Sequence, residues 1–194
     1  SIGDLLSSLL ISVVPHSICN CRCLEIIVDV CHVFLNNGKS HTYLFTMYHK
    51  RKFVPKNPEK YTGDPTNIIM RSSWETKFAN WCDNSPHVVK WLSEETVIPY
   101  VCPTDNRVHR YFVDFKVQIR NKEGMLQTYL IEIKPEAQTR PPIPGQRVTK
   151  KYLTEVMTWG KNEAKWKAAE NYARDRGWKF MIFTEKRSEE HTSE

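Results

Sequence analysis

Glycine is scarce in this chain, with 7 among 194 residues, and proline contributes only 11. Collagen-like and low-complexity architectures are thereby excluded. No apolar run reaches the roughly 18–20 residues that cross a bilayer, so no transmembrane helix and no membrane partner are expected. Acidic residues are in deficit, 22 against 28 basic ones, leaving a formal charge of +6. The aromatic content is 11%, with 6 tryptophans, which excludes a wholly disordered chain. The length suits one domain with extensions.

The composition is uneven. Cys19, Cys21, Cys23 and Cys31 crowd the first segment, whereas Trp74, Trp81, Trp91, Trp159, Trp166 and Trp178 all lie in the middle. Between Met47 and Lys186 there are 25 basic and 16 acidic residues, while the flanks hold 3 and 6. The positive charge therefore belongs to the Trp-rich middle. Leu5 to Val14 has the character of a signal-peptide core but lacks a basic n-region and a clear cleavage site. The C-x-C-x-C cluster has the wrong spacing for zinc knuckles, and no second ligand pair follows. Residues 1–46 are expected to be non-native or disordered upstream sequence, with Met47 as a plausible start. Residues 187–194 (RSEEHTSE) read as an adapter-derived tail. The expected organisation is a basic extended arm over 47–70 and a folded domain over 71–186.

Local signals place the elements. Pro55, Pro58 and Pro65 punctuate the arm, with Gly63-Asp64-Pro65 as a turn. Ser72 followed by Glu75 forms a capping-box signature ahead of a helix from Trp74 to about Asp83, with Trp74, Phe78 and Trp81 on one face. Strands are expected at Thr96–Val101, Tyr111–Ile119 and Thr128–Lys134. In the second, Tyr111, Val113, Phe115, Val117 and Ile119 share one side, and Phe112, Asp114, Lys116 and Gln118 the other. Asn121 to Gly124 is a hairpin turn. A proline-rich loop leads to a helix over about Lys150–Arg176, interrupted near Gly160 and capped by Gly177. Lys179–Thr184 is a last strand. The α-β-β-β-α-β order permits a parallel crossover within a mixed α/β sheet.

Charged residues inside the apolar strands suggest chemistry. Asp114 lies between Val113 and Phe115, and Glu132 between Ile131 and Ile133. Lys134 points to the same side as Glu132, two residues on. Buried carboxylates are costly unless paired or bound to a metal. On neighbouring strands, Asp114 and Glu132 can converge on one divalent cation, and oxygen ligands favour Mg²⁺ or Mn²⁺. Such a site suits phosphodiester hydrolysis, with Lys134 as an electrostatic helper. Glu75 has two readings, a capping residue or a further carboxylate for the metal. Asp114, Glu132 and Lys134 also have a plainer reading as solvent-facing strand residues.

Asp114, a hairpin and then Glu132-Ile133-Lys134 resemble the D…ExK signature of the PD-(D/E)xK nuclease superfamily, although Val113 stands where that pattern has proline. A closer resemblance covers nearly all of 47–186. The stretches KFVPKNPEKYTGDP, IIMRSSWETKFANWCD, VIPY, RYFVDF, YLIEIKPEAQT and KWKAAENYARDRGWKFMIFTE are similar to the head-completion nucleases of T4-like tailed phages, relatives of the endonuclease subunit of heteromeric transposases. The resemblance implies a restriction-endonuclease-like core and a catalytic set of Glu75, Asp114, Glu132 and Lys134. It implies metal ligation by Asp114, Glu132, the Ile133 carbonyl and Glu75. It also implies late action on packaged DNA in the host cytoplasm, with retention in the virion and contact with portal or head proteins as further expectations.

Lys50, Arg51, Lys52, Lys56 and Lys60 on the arm, and Arg140, Arg147, Lys150 and Lys151 beside the ExK strand, suit backbone contacts to double-stranded DNA. The tryptophans read as core, Cys82 and Cys102 as reduced thiols, and His87 and His109 as surface residues. Two rival functions stay open: an end-cleaving transposase subunit, and a non-catalytic plug that binds DNA and portal.

Overall fold

The computed structural model describes residues 50–184. The readings made for 1–46, for Met47 and for 187–194 lie outside the described residues. Strands β1 (Arg51–Phe53) and β2 (Ile68–Met70) form a small antiparallel ribbon. Helix α1 (Ser73–Asn84) follows, then β3 (Val88–Val101), β4 (Val108–Arg120), β5 (Leu126–Ile133), helix α2 (Lys150–Arg174) and β6 (Lys179–Phe183). Strands β3 to β6 lie side by side in sequence order. The first two pairings are antiparallel, and β5–β6 is parallel, with α2 as the crossover. The expected α-β-β-β-α-β core is therefore formed.

Each boundary has a local cause. The Ser72 side chain accepts the Glu75 N–H at 3.1 Å and starts α1. Gly124, at φ +83°, closes the β4–β5 hairpin, where Asn121 Oδ1 accepts the N–H groups of Glu123 and Met125. Gly177, at φ +67°, lets the chain leave α2 and enter β6. The long helix is continuous. Gly160 does not interrupt it, and a Cβ there would meet Pro103 of the β3–β4 turn at 3.7 Å, an ordinary contact distance.

Two apolar clusters hold the layers together. One gathers Phe78, Trp81, Trp91, Phe115, Val117, Tyr129 and Ile131 beneath α1. Phe78 packs edge-on to Phe115 and Phe183, with ring centroids 4.7 and 5.6 Å apart. The other joins Ile98, Tyr100, Tyr111, Val113 and Leu130 to Ala169 and Ala173 of α2. Burying side chains of this size stabilises the fold by roughly 1.5–3 kcal/mol each.

Further sequence expectations change in the strands. Strand β3 starts at Val88 rather than Thr96, because the polar run Ser93-Glu94-Glu95 hides a continuous strand. Its register against β4 shifts between Ser93 and Thr96, so Glu94 and Glu95 stand opposite Asp114 alone. Strand β4 does not keep one apolar side. Tyr111 and Val113 belong to the α2 cluster, Phe115 and Val117 to the α1 cluster, and the exchange falls at Asp114. Irregularities of this kind bend strands and re-aim side chains.

The basic arm, finally, is folded onto the domain. Phe53, Tyr61, Ile68 and Met70 are buried in the α1 cluster. Buried Asp83 accepts the N–H groups of Lys56 and Asn57 at 2.7 and 3.1 Å. Lys60, read as a phosphate-binding residue, instead donates to the carbonyls of Asp83 and Ser85 at the end of α1.

Candidate active site

Strands β4 and β5 pair from Arg120↔Leu126 to Phe115↔Ile131 and then part. At the fork, Asp114 replaces a strand partner. Its Oδ2 accepts the Ile133 N–H at 2.8 Å, which fixes the carboxylate beside Glu132.

Glu132 is 2% exposed, and both its oxygens are engaged. Tyr111 donates its hydroxyl to Oε2 at 2.6 Å, and Lys134 donates to Oε1 at 2.9 Å. Each oxygen keeps a second lone pair. The structure thus places Asp114, Glu132 and Lys134 close to one another at the fork. The plainer reading, exposed strand charges, does not fit a glutamate this deeply buried.

The electrostatics are those of an unbalanced acidic pocket. Burial, and then the Glu132 charge, holds the Asp114 carboxyl well above the usual carboxylate range. Burial alone would lower Lys134, but the charges of Glu132 and Asp114 outweigh it and keep the ammonium protonated above its ordinary value. Tyr111 is likewise pushed up by burial and by Glu132, so it serves as a donor.

Glu75 sits in the first turn of α1, near enough for its charge to act on Asp114 and Lys134. Its own carboxylate turns back to the helix start. Oε2 accepts the Arg71 N–H at 2.8 Å, and Oε1 accepts the Ser72 hydroxyl at 2.9 Å. Burial raises its pKa despite these bonds. Capping and site edge therefore coincide in this residue.

Sequence reasoning missed three participants. Tyr111 orients Glu132, and strict alternation, which sets it on the side opposite Asp114, gave no signal for it. Glu94, at φ +54°, forms an ion pair with Arg71 at 2.6 Å and adds a negative charge near Glu75. A positive φ is uncommon for glutamate, and strain of this sort gathers at functional sites. Lys165 of α2 lies with its Nζ 5.7 Å from the Tyr111 ring centroid and 5.8 Å from that of Tyr100. Burial and then the Lys134 charge press its pKa below the ordinary lysine value. Its position at the edge of the apolar stripe, beside Trp166, was the only hint.

Apart from Lys60, the residues read as DNA-binding are exposed: Lys50, Arg51, Lys52 and Lys56 on the arm, and Arg140, Arg147, Lys150 and Lys151 around the loop into α2. Two carry intramolecular partners, Arg140 with Glu136 and Lys151 with Glu155. No helix among the described residues is long and apolar enough to cross a membrane.

Comparison with known proteins gives two matches. Residues 85–185 match the family described as TnsA-like endonuclease N terminal. Over 143 residues the chain is 43% identical to the Head completion nuclease of Enterobacteria phage T4, covering 72% of this chain and 93% of that relative. No solved structure matches.

Proposed function

Taking as premise that this chain belongs to the TnsA-like endonuclease family, and is thus a nuclease, we propose that it hydrolyses DNA phosphodiesters with a divalent cation held at Asp114 and Glu132. One observation carries this reading: the Ile133 N–H bond that draws Asp114 alongside Glu132 where the strands fork.

The donor set fits a hard cation. Glu132, Asp114 and Glu75 crowd Lys134, and burial already works against the Asp114 charge. An additional positive charge is what such a pocket lacks. Mg²⁺ or Mn²⁺ would be held by Asp114, Glu132 and the Ile133 carbonyl, with Glu75 supporting through its charge. When bound, the cation lowers the pKa of its water and neutralises charge at the scissile phosphate.

The protein's own groups supply the rest. Tyr111 holds Glu132 in one orientation. Lys134, kept charged by its neighbours, donates to the attacking water or to the phosphate oxygens as negative charge grows. Lys165 approaches from α2 as a second cation, its ammonium resting on Tyr111 and Tyr100. The exposed lysines and arginines of the arm and of the loop before α2 hold the duplex by its backbone.

The biological setting follows the T4 relative, which is named Head completion nuclease. By that likeness the chain acts on the DNA end during head assembly in the infected cell, next to portal or head proteins. The full chain is expected to nick duplex DNA with Mg²⁺ or Mn²⁺ and to stop with EDTA. Glu132→Ala should abolish cleavage while DNA binding persists. Binding with no cleavage by the parent would favour the plug, and cleavage confined to one terminal sequence would favour a transposase-type subunit.

A further inference from the structure

The tip of the β3–β4 hairpin holds a second cluster of potential ligands, built from softer donors than the carboxylates at the fork. Cys102 Sγ, a carboxylate oxygen of Asp105 and a ring nitrogen of His109 all lie within 4.8 Å of one another. Cys102 is buried, and Asp105 and His109 are exposed above it. We propose that these three side chains form a second cation site, separate from the carboxylate site, for a zinc-class ion that pins the hairpin.

The chemistry selects the ion. Thiolate and imidazole favour Zn²⁺ over Mg²⁺, whereas the fork offers oxygen alone. A tetrahedral ion with bonds of about 2.0–2.3 Å sets its donors roughly 3.3–3.6 Å apart. The donor atoms lie within 4.8 Å of one another, so they need to close by at most about 1.5 Å to take the ion. Three protein ligands leave a fourth position for water.

The scaffold is already rigid. Cys102 N–H bonds to the Arg107 carbonyl at 2.8 Å, and Asn106 N–H to the Cys102 carbonyl at 2.9 Å, with Asn106 at φ +54° completing the turn. Pro103 rests against Gly160 of α2. Asp105 Oδ1 is held by the Arg107 N–H, while Oδ2 meets His109 Nε2 at 2.9 Å, where the ion would take the place of the shared proton. Thr104 Oγ1 lies 3.1 Å from Cys102 Sγ, and this hydroxyl can donate to a thiolate. Tyr100 lies under Lys165, so the pinned tip backs the wall of the carboxylate site.

The test uses the full chain, stripped with EDTA, desalted and titrated with Co²⁺. The wild type should develop thiolate-to-cobalt charge transfer and tetrahedral d–d bands, which Zn²⁺ then displaces. Cys102→Ser should remove one equivalent of this signal, and His109→Ala should weaken binding at least tenfold, while Cys82→Ser changes nothing. Signal from the upstream cysteines would persist in every variant, so the difference spectra carry the result. His109→Ala and Asp105→Asn alter exposed positions and should unfold in EDTA at the wild-type temperature, yet lose the rise that Zn²⁺ gives the wild type. A Cys102→Ser spectrum that overlays the wild type would overturn the proposal, as would a wild type with no thiolate band.

Discussion

Replacing Asp114 by asparagine separates a functional carboxylate from a structural one. The amide oxygen can still accept the Ile133 N–H, so the fork keeps its shape. What disappears is a negative charge that burial and Glu132 oppose. A carboxyl whose folded pKa lies above its unfolded value binds more protons when folded. It therefore stabilises the fold at low pH, and that contribution is lost as pH rises from the ordinary carboxylate range through the raised value. Leaving a buried polar or charged group without full compensation costs on the order of 1–3 kcal/mol. Lys134 offsets part of that cost, so Asp114→Asn should gain about 1–2 kcal/mol in the absence of metal. At roughly 2–4 °C per kcal/mol, the unfolding midpoint should rise by about 2–8 °C. The assay is thermal unfolding in EDTA from acid to neutral pH, run beside a DNA-nicking assay with Mg²⁺. The variant should be more stable at neutral pH, show a flatter loss of stability with rising pH, and be inactive. An Asp114→Asn protein less stable than the wild type in chelator would refute the reasoning and make Asp114 a structural partner of Lys134.

Other outcomes follow from the same geometry. Lys134→Met should lower cleavage by about 10²–10³-fold with duplex binding little changed, measured by single-turnover nicking and a gel-shift titration. Ser72→Ala removes the α1 cap and frees Glu75, and should cost about 1 kcal/mol in urea unfolding. Lys150→Ala with Arg147→Ala should weaken binding to all duplexes alike. The slope of log affinity against log salt should become shallower by about one for each phosphate that is no longer neutralised.

Much of the sheet was legible because its strands announce themselves. Leu126–Ile133 and Lys179–Phe183 are short apolar runs bounded by turn residues, and a helix between them made their parallel pairing readable. Strand β3 was half hidden, because Ser93-Glu94-Glu95 breaks the alternation where the register shifts. The same shift explains the misread faces of β4. Strict alternation assigns Val113 and Phe115 to one side, but the backbone changes course at Asp114 between them.

The candidate site was legible where the residue types were costly. Asp114 and Glu132 stand out because acids between β-branched and aromatic neighbours need a compensating partner. Tyr111 and Lys165 did not stand out, since a tyrosine in a strand and a lysine on a helix are ordinary in sequence. Only tertiary packing puts one on Glu132 and the other over its ring. The basic arm misled in a related way. Its charges and prolines suggested an extended nucleic-acid-binding arm, yet Phe53 and Tyr61 anchor it in the core and Lys60 serves as a helix cap.

The central claim is that Asp114 and Glu132 share one hard cation. Mn²⁺ binding to the full chain, followed by water-proton relaxation, tests it most directly. The account predicts one Mn²⁺ equivalent that Mg²⁺ displaces and that both Asp114→Asn and Glu132→Gln abolish, with Cys102→Ser unchanged. Undiminished Mn²⁺ binding in the two carboxylate variants would contradict it.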